Sequence, residues 1–262
     1  MELQGQHALV TGGSRGIGAA CARALLMQGA SVTIAGRDLA SLETAADQLR
    51  QAAGPAAAAR IGVCALDVTD EASVGLGFAA AAAALGPVTI LVNNAGQAHP
   101  APFSRTTAEH WRRMLDVNLT GAFHCMQAAL PQMLQAGHGR IVNVASTAGL
   151  KGYKYVSAYV AAKHGLVGLT RALALELATK NITVNAVCPG YTETDIVQDA
   201  VANIMQKTGR SEAQARGELA AGNPQQRLVQ VEEVANAVVW LCLPASGAMN
   251  GQSIAVAGGE VM

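Results

Sequence analysis

Short apolar runs rich in β-branched residues recur along the chain: HALVTGG at 7–13, SVTIAGR at 31–37, GVCALDV at 62–68, VTILVNNAG at 88–96, RIVNVAS at 140–146, ITVNAVCPG at 182–190 and SIAVAGG at 253–259. Each has the length and composition of a strand. Between them lie Ala- and Leu-rich stretches with stop signals, which predict helices over about 16–28 before Gly29, 39–53 before Gly54-Pro55 and 70–85 before Gly86-Pro87. Two longer helices are expected over 107–136, with Pro131 marking a kink, and over 155–179, running into a turn at Asn181. Strands that alternate with helices in this way must run parallel, because parallel neighbours need crossover connections. The pattern therefore predicts a Rossmann-type, doubly wound α/β fold: a parallel seven-stranded sheet with helices on both faces. The nearly all-alanine stretch from Phe78 to Leu85 predicts a helix packed closely on that sheet.

One segment breaks the rhythm. Residues 191–227 are polar and Gln-rich, with an N-cap candidate at Ser211 and a turn at Asn223-Pro224, and read as a small helical lid over a substrate pocket. No fixed-period repeat interrupts the chain, so 1–262 is expected to form one domain carrying that lid.

Composition narrows the partners. With 51% hydrophobic and 14% charged residues the chain has material for a sizeable core. Lys+Arg and Asp+Glu are both 18, so no global field favours nucleic acid or an anionic membrane, and any anion site must be local. No apolar run approaches the roughly 20 residues of a membrane span. The N-terminus enters a strand too early to hold a secretory signal, which makes a cytoplasmic protein the expectation. The five cysteines, Cys21, Cys64, Cys125, Cys188 and Cys242, are scattered without a C-x-x-C pair and read as buried free thiols. The six histidines form no ligand-like cluster, so no metal is expected and most should lie at the surface.

The chemistry is concentrated at strand ends. The first strand runs into Thr11-Gly12-Gly13-Ser14-Arg15-Gly16-Ile17-Gly18 and then a helix, where glycines let backbone amides approach a pyrophosphate. The spacing G-x-x-x-G-x-G departs from the commoner G-x-G-x-x-G fingerprint, and a Gly-rich turn is the plainer alternative. At the end of the second strand, where a site for NAD usually places a carboxylate, stands Gly36. Arg15 and Arg37 could instead converge on a ribose 2′-phosphate, which favours NADP(H). Asp38, one residue further on, keeps NAD(H) possible. Asp67-Val68 ends the third strand beside the expected adenine, with a helix cap as the aspartate's alternative role. Asn94-Ala95-Gly96 closes the fourth strand at the sheet's carboxyl edge, where an ordinary Asn/Gly turn would look the same. Tyr159 and Lys163 stand at i and i+4, so both can face one cleft, and a nearby cation favours the phenolate. Ser146 ends the fifth strand at the same edge. Asn118, a poor helix former inside a long helix, suggests a backbone or water interaction.

Together, TGGSRGIG at 11–18, Asp67, NNAG at 93–96, Asn118, Ser146, YVAAK at 159–163 and Pro189-Gly190 followed by Thr194 resemble the short-chain dehydrogenase/reductase family over nearly the whole chain. The resemblance implies an oxidoreductase that moves a hydride between a nicotinamide dinucleotide and a ketone or secondary alcohol. It implies that Ser146 binds the substrate oxygen and that Tyr159 transfers the proton. Lys163 would lower the Tyr159 pKa and hold the nicotinamide ribose, and Asn118 would support a water chain to Lys163. Pro189, Gly190, Thr192 and Thr194 would anchor the nicotinamide, with Ser14, Ile17 and the other loop residues around the phosphates.

The catalytic set does not specify the substrate. Gln97, His99, Ser146, Leu150, Tyr153, Tyr155, Tyr191 and Ile196 are the expected pocket residues. Similarity to the beta-ketoacyl carrier-protein and acetoacetyl-CoA reductase branch points to a 3-oxoacyl thioester; Lys151, Lys154, Lys207 and Arg210 could meet an acidic CoA or carrier group at the pocket mouth, with ordinary solvated surface charge as the plainer reading of each. Free ketones, cyclic or aromatic alcohols, steroids and sugar-derived alcohols remain alternatives. The family resemblance also implies a homotetramer built on the helices of 107–136 and 155–179.

Overall fold

The computed structural model describes the backbone of all 262 residues and every side chain except those of Ala56 and Ile196. Seven strands form one parallel sheet: β1 His7–Thr11, β2 Ser31–Gly36, β3 Ile61–Ala65, β4 Ile90–Asn93, β5 Gly139–Val144, β6 Ile182–Pro189 and β7 Ser253–Val256. Their order is β3-β2-β1-β4-β5-β6-β7, so the winding reverses between β1 and β4. In such sheets the ligand crevice opens at the carboxyl ends of the strands at that reversal.

The helices are α1 Gly16–Met27, α2 Leu39–Ala53, the short α3 Pro55–Ala58, α4 Glu71–Leu85, α5 Ala108–Leu115, α6 Gly121–Ala136, α7 Ser157–Leu177, α8 Asp195–Thr208, α9 Glu212–Ala220 and α10 Val231–Cys242. Strand alternation assigns them to two layers. Ala8, Val10, Val32, Ile34, Val92 and Val144 pack with α1, α2 and α10, while Leu9, Leu91, Ile141 and Val184 pack with α4, α6 and α7. The alanine-rich α4 does lie close on the sheet: a Cβ at Gly77 would stand 2.8 Å from Leu66 Cδ2 and 2.9 Å from Cys64 Sγ.

Three features lie outside those expectations. The helix of 107–136 is divided by a π-helical turn at Asp116–Thr120, and α6 continues through Pro131. Such turns insert one residue into the hydrogen-bond ladder, and composition around a proline does not reveal them. Helix α10 is not among the helices that the stop signals predict. Its own signals are a reciprocal cap between Gln230 and Glu233 and buried Val234, Ala235, Val238, Val239 and Cys242, a helical spacing that presses on α1. His7 is the one fully buried histidine, an exception within an expectation made for most of the six, with Nδ1 2.7 Å from the Gly86 carbonyl and Nε2 2.8 Å from Thr33 Oγ1, and burial pushes its pKa down.

The cysteines are all free and buried, as expected. Among the described residues no cluster of His, Cys, Asp and Glu could hold a metal, and no helix is long and apolar enough to cross a membrane. The segment 191–227 folds as α8 and α9, with Ser211 forming a reciprocal capping box with Gln214.

Candidate active site

The loop between β1 and α1 is pressed against the sheet edge so tightly that side chains have no room. Gly12 and Gly16 adopt φ of +62° and +53°, in the region L-residues avoid. A Cβ at Gly18 would lie 2.1 Å from the Gly12 carbonyl oxygen. Asn94 stitches the loop down, its Nδ2 donating to the carbonyls of Thr11 and Gly12 at 3.0 and 3.1 Å, while Thr11 Oγ1 accepts from the amides of Asn94 and Ala95, each at 3.0 Å. The Asn94 side chain therefore shapes the loop. At the helix start, Arg15 provides no side-chain cap and the first turn holds no acid. The amides opening α1 thus have no side-chain acceptor and sit at the positive end of the helix dipole, which fits the pyrophosphate of a dinucleotide. Ser14 and Ile17 are half-buried beside this turn.

The two arginines differ. Arg37, past the end of β2, is exposed and makes no ion pair among the described residues, but it stands near enough to Asp67 to help hold that carboxyl down. Burial pushes the Asp67 carboxyl up, and hydrogen bonds from Thr69 N and Oγ1, at 2.9 and 2.8 Å, with Arg37, outweigh it. Asp67 does not cap α4; Asp70 does. Asp38 caps α2, accepting from Ala40 N at 3.1 Å and Ser41 Oγ at 2.6 Å, so its carboxylate is already occupied. Arg15 is not free: its Nη1 lies 3.2 Å from Asp195 Oδ2 on α8. Val68 is buried, and its carbonyl is 3.1 Å from His124 Nδ1.

At the carboxyl end of β5 and the start of α7 the site is made of side chains. Ser146 lies just past β5 and its Oγ accepts from Ala148 N at 3.0 Å. Tyr159 and Lys163 project from the first turns of α7 as their spacing predicts, the Lys163 Nζ 5.6 Å from the Tyr159 ring centroid. Lys163 is 4% exposed and donates to the Val144 carbonyl at 2.8 Å. Helix α7 is anchored to the sheet by a buried ladder in which Asn93 donates to Asn143 and Asn143 to Thr170, each at 2.9 Å.

The electrostatics of this pair depart from expectation. Burial is the largest influence on Tyr159 and pushes the phenol up, with a hydrogen bond to the Ser146 side chain opposing it. Burial lowers Lys163 to about 8. In the chain alone, desolvation of both groups outweighs the attraction by which a cation would depress a phenol. Cys188 lies beneath, its thiol pushed up to about 11 by burial, which leaves it without nucleophilic character.

Asn118 sits in the π-helical turn, 1% exposed. Its Oδ1 accepts from Gln97 N at 3.2 Å, and its Nδ2 donates to the carbonyls of Gln97 and Met114 at 2.9 and 3.0 Å. The turn thereby holds the loop after β4 beside the lysine: a Cβ at Gly96 would lie 2.9 Å from Asn118 Oδ1 and 3.7 Å from Lys163 Nζ. Beyond β6, Thr192 Oγ1 donates to the Gly190 carbonyl, Thr194 Oγ1 to that of Thr192, and the Thr194 methyl faces Gly16.

The expected pocket residues divide. Tyr153 and Tyr191 pack edge to face at 6.5 Å between centroids, and Tyr191 is close enough to Tyr159 to influence its ionisation. Leu150 packs partly buried against the core between the sheet and α7. Gln97 Oε1 lies 3.3 Å from His99 Nε2 and 3.2 Å from Arg113 Nη2, placing both side chains toward α5. Tyr155 is 63% exposed; its backbone, at φ +67°, matters more, since its carbonyl accepts from Ala101 N at 2.7 Å and ties the 96–107 loop. The Ile196 side chain lies outside the described residues. Of the expected carrier cations, Lys151 and Arg210 are ion-paired to Glu260 and Glu218.

One residue went unexpected. Glu260, four positions past β7, turns back onto the segment after Ser146, where its side chain is 4% exposed. Tyr153 Oη donates to its Oε1 at 2.5 Å, and Oη lies 2.7 Å from Thr147 Oγ1. The signal lay in the topology: a parallel β7 must deliver the tail of the chain to the same carboxyl edge as Ser146.

Comparison with known proteins accords with this geometry. The family model described as short chain dehydrogenase matches residues 6–204. The chain is 39% identical to a D-beta-hydroxybutyrate dehydrogenase of Cupriavidus necator, covering 99% of each chain. It is 40% identical to an acetoacetyl-CoA reductase of Rhizobium meliloti, covering 97% of each. Among solved structures, an actinorhodin polyketide ketoreductase with NADPH superposes with a TM-score of 0.92 at 37% identity, covering 97% of each chain. With its glycine-lined loop, its Ser146, Tyr159 and Lys163 at one strand edge, and these relatives over its full length, the chain belongs to the short-chain dehydrogenase family of oxidoreductases that interconvert ketones and alcohols.

Proposed function

We propose that this protein is an NADP(H)-dependent reductase of 3-oxoacyl thioesters. The observation that carries the reaction type is the convergence of Ser146, Tyr159 and Lys163 at the carboxyl end of β5. The bound nicotinamide would supply a hydride to the substrate's carbonyl carbon. Ser146 Oγ donates a hydrogen bond to the carbonyl oxygen, and Tyr159 Oη gives its proton to that oxygen as negative charge develops there. The Lys163 ammonium, held by the Val144 carbonyl, stabilises the phenolate that forms, and Asn118 fixes the turn through which a proton returns. In the oxidative direction Tyr159 takes the proton instead.

For the cofactor, Arg37 is a guanidinium without an ion pair among the described residues at the end of β2, whereas Gly36 offers no carboxylate and Asp38 is committed to capping α2. That combination favours a 2′-phosphate. The acyl reading rests on the acetoacetyl-CoA reductase and ketoreductase relatives. The hydroxybutyrate dehydrogenase relative supports a second reading, in which a free 3-hydroxy acid is the substrate. Helices α8 and α9 serve as the lid over either. Trp111, Phe123 and Leu175, exposed on α5, α6 and α7, suit association into a homotetramer.

Initial rates with acetoacetyl-CoA, using NADPH or NADH, test the reading. NADPH should be preferred, and Arg37→Asp should move the ratio of kcat/KM toward NADH by about a hundredfold, the scale of a lost charge-assisted contact to phosphate plus repulsion. Equal use of both cofactors by the unaltered protein would overturn the NADP assignment, and absence of thioester turnover would overturn the substrate.

A further inference from the structure

The segment that follows Ser146 holds, through Lys151 and Tyr153, a buried carboxylate that the reaction does not require. Gly258 and Gly259, at φ of +60° and +93°, turn the tail so that it lies against Asn223 and Pro224 at the end of the lid segment. A Cβ at Gly258 would collide with the Asn223 side chain, so only glycine permits this approach. The turn delivers Glu260 into a slot beside Gly190, where an added Cβ would lie 3.0 Å from Glu260 Oε2, and beside Gly222, at 3.4 Å from Oε1.

Two donors meet the carboxylate there. Lys151 Nζ stands 3.1 Å from Oε1 and also donates to the Glu260 carbonyl at 3.4 Å. Tyr153 Oη supplies the second contact and links the group to Thr147, next to Ser146. The Lys151 ammonium, five residues past Ser146 in the chain, is thereby paired with the tail. A carboxylate without a partner could not remain in so buried a slot, and the Lys151 side chain, 40% exposed, has its charge offset by the carboxylate it contacts.

We infer that Glu260 is a specificity-determining residue: by occupying Lys151 it makes the crevice select the uncharged acyl group of a thioester, ester or amide over a free 3-oxo or 3-hydroxy carboxylate. A free acid reacting at Ser146 and Tyr159 must place its own charge two carbons from the reacting carbon. On the Tyr153 side it would find the Lys151 charge already offset by the buried Glu260 carboxylate. This inference rests on the ketone-reductase reading and deepens its choice between thioester and free acid.

The test uses acetoacetate and acetoacetamide, which match in size and differ by one charge. Wild-type enzyme should favour the amide at least tenfold in kcat/KM, chiefly through KM. Glu260→Gln keeps an acceptor for Tyr153 and frees Lys151, and should move the ratio at least tenfold toward acetoacetate; adding Lys151→Met should cancel that gain. Lys151→Met alone should move the ratio the other way, which keeps the inference testable if Glu260→Gln folds poorly. A purely structural tie would lower both substrates alike and leave the ratio unchanged, and that result, or a wild-type preference for acetoacetate, overturns the inference. If neither compound turns over, calorimetric binding of butyrate and butyramide to the NADPH-loaded protein gives the same comparison, and equal or absent binding of the two overturns it. Failure of acetoacetyl-CoA turnover with the charge ratio intact would remove the thioester reading and leave the charge selection standing.

Discussion

The two sides of the crevice solve opposite problems. On the β1–α1 side the protein removes side chains until backbone touches backbone, and on the β5–α7 side it buries charged and polar side chains that water would hold more comfortably. The first is governed by sterics: Gly12, Gly16 and Gly18 shape an amide-lined hollow whose affinity for anions comes from peptide dipoles. The second is governed by desolvation: Lys163 is driven down to about 8 and Tyr159 upward by the same burial. A binding surface can be neutral and tight, whereas a reacting surface has to hold groups whose protonation can change, at a cost in stability. Substitutions on the two sides should therefore fail in different ways.

The largest effect belongs to the reacting side. Tyr159→Phe removes one oxygen atom, and with it the proposed proton donor, while leaving the α1 hollow untouched. We expect kcat to fall by about a thousandfold or more, within the usual scale of positioned acid–base catalysis, with nicotinamide-cofactor affinity changed by less than about threefold. Fluorescence titration beside steady-state rates separates the two quantities. Substantial residual turnover would sink the assignment of Tyr159.

On the binding side the contrast is between two glycines. Gly18→Ala puts a methyl group 2.1 Å from the Gly12 carbonyl oxygen, a backbone atom that cannot swing aside. It should destabilise the fold by about 2–3 kcal/mol and weaken nicotinamide-cofactor binding by about a hundredfold. Gly75→Ala, on the exposed side of α4 with nothing within 4 Å, should instead stabilise by about 1 kcal/mol through helix propensity alone. Chemical denaturation of both variants distinguishes a steric requirement from a general dislike of alanine, and a neutral Gly18→Ala would show that the hollow relaxes easily.

The same division explains what could be read from the sequence. All seven strands and the loop of 11–18 were legible because strand runs and glycine spacing are local signals. Tyr159 and Lys163 were legible as neighbours because four residues on a helix fix their separation. What those two groups do to one another was not, since the balance between burial and attraction depends on atoms from β5, β6 and α7 together. Glu260 escaped for a related reason: its contacts with Tyr153 and Lys151 span more than a hundred residues and depend on two glycines and the docking of the tail on Asn223. The π-helical turn at Asp116–Thr120 was hidden because a one-residue insertion in a helix leaves its apolar periodicity almost intact.

The finest test of the comparison asks whether the reacting side carries a cost that function alone retains. Lys163 titrates at about 8 in the folded chain against an ordinary 10.5. Below pH 8 it is protonated in both folded and unfolded states, and holding the buried ammonium costs about 3 kcal/mol by the linkage between pKa and stability. Lys163→Met removes that cost and forfeits the hydrogen bond to the Val144 carbonyl, worth about 1 kcal/mol. The variant should therefore be more stable than wild type by about 2 kcal/mol near neutral pH. Between about pH 8 and 10.5 the unfolded wild type keeps a proton that the folded protein has released, so wild-type stability rises there and the gap closes. Denaturant unfolding of both proteins across that window measures it. A variant less stable than wild type, or a gap that does not narrow as pH rises, would mean that the lysine is compensated by its surroundings and that the two sides of the crevice are built more alike than their geometry implies.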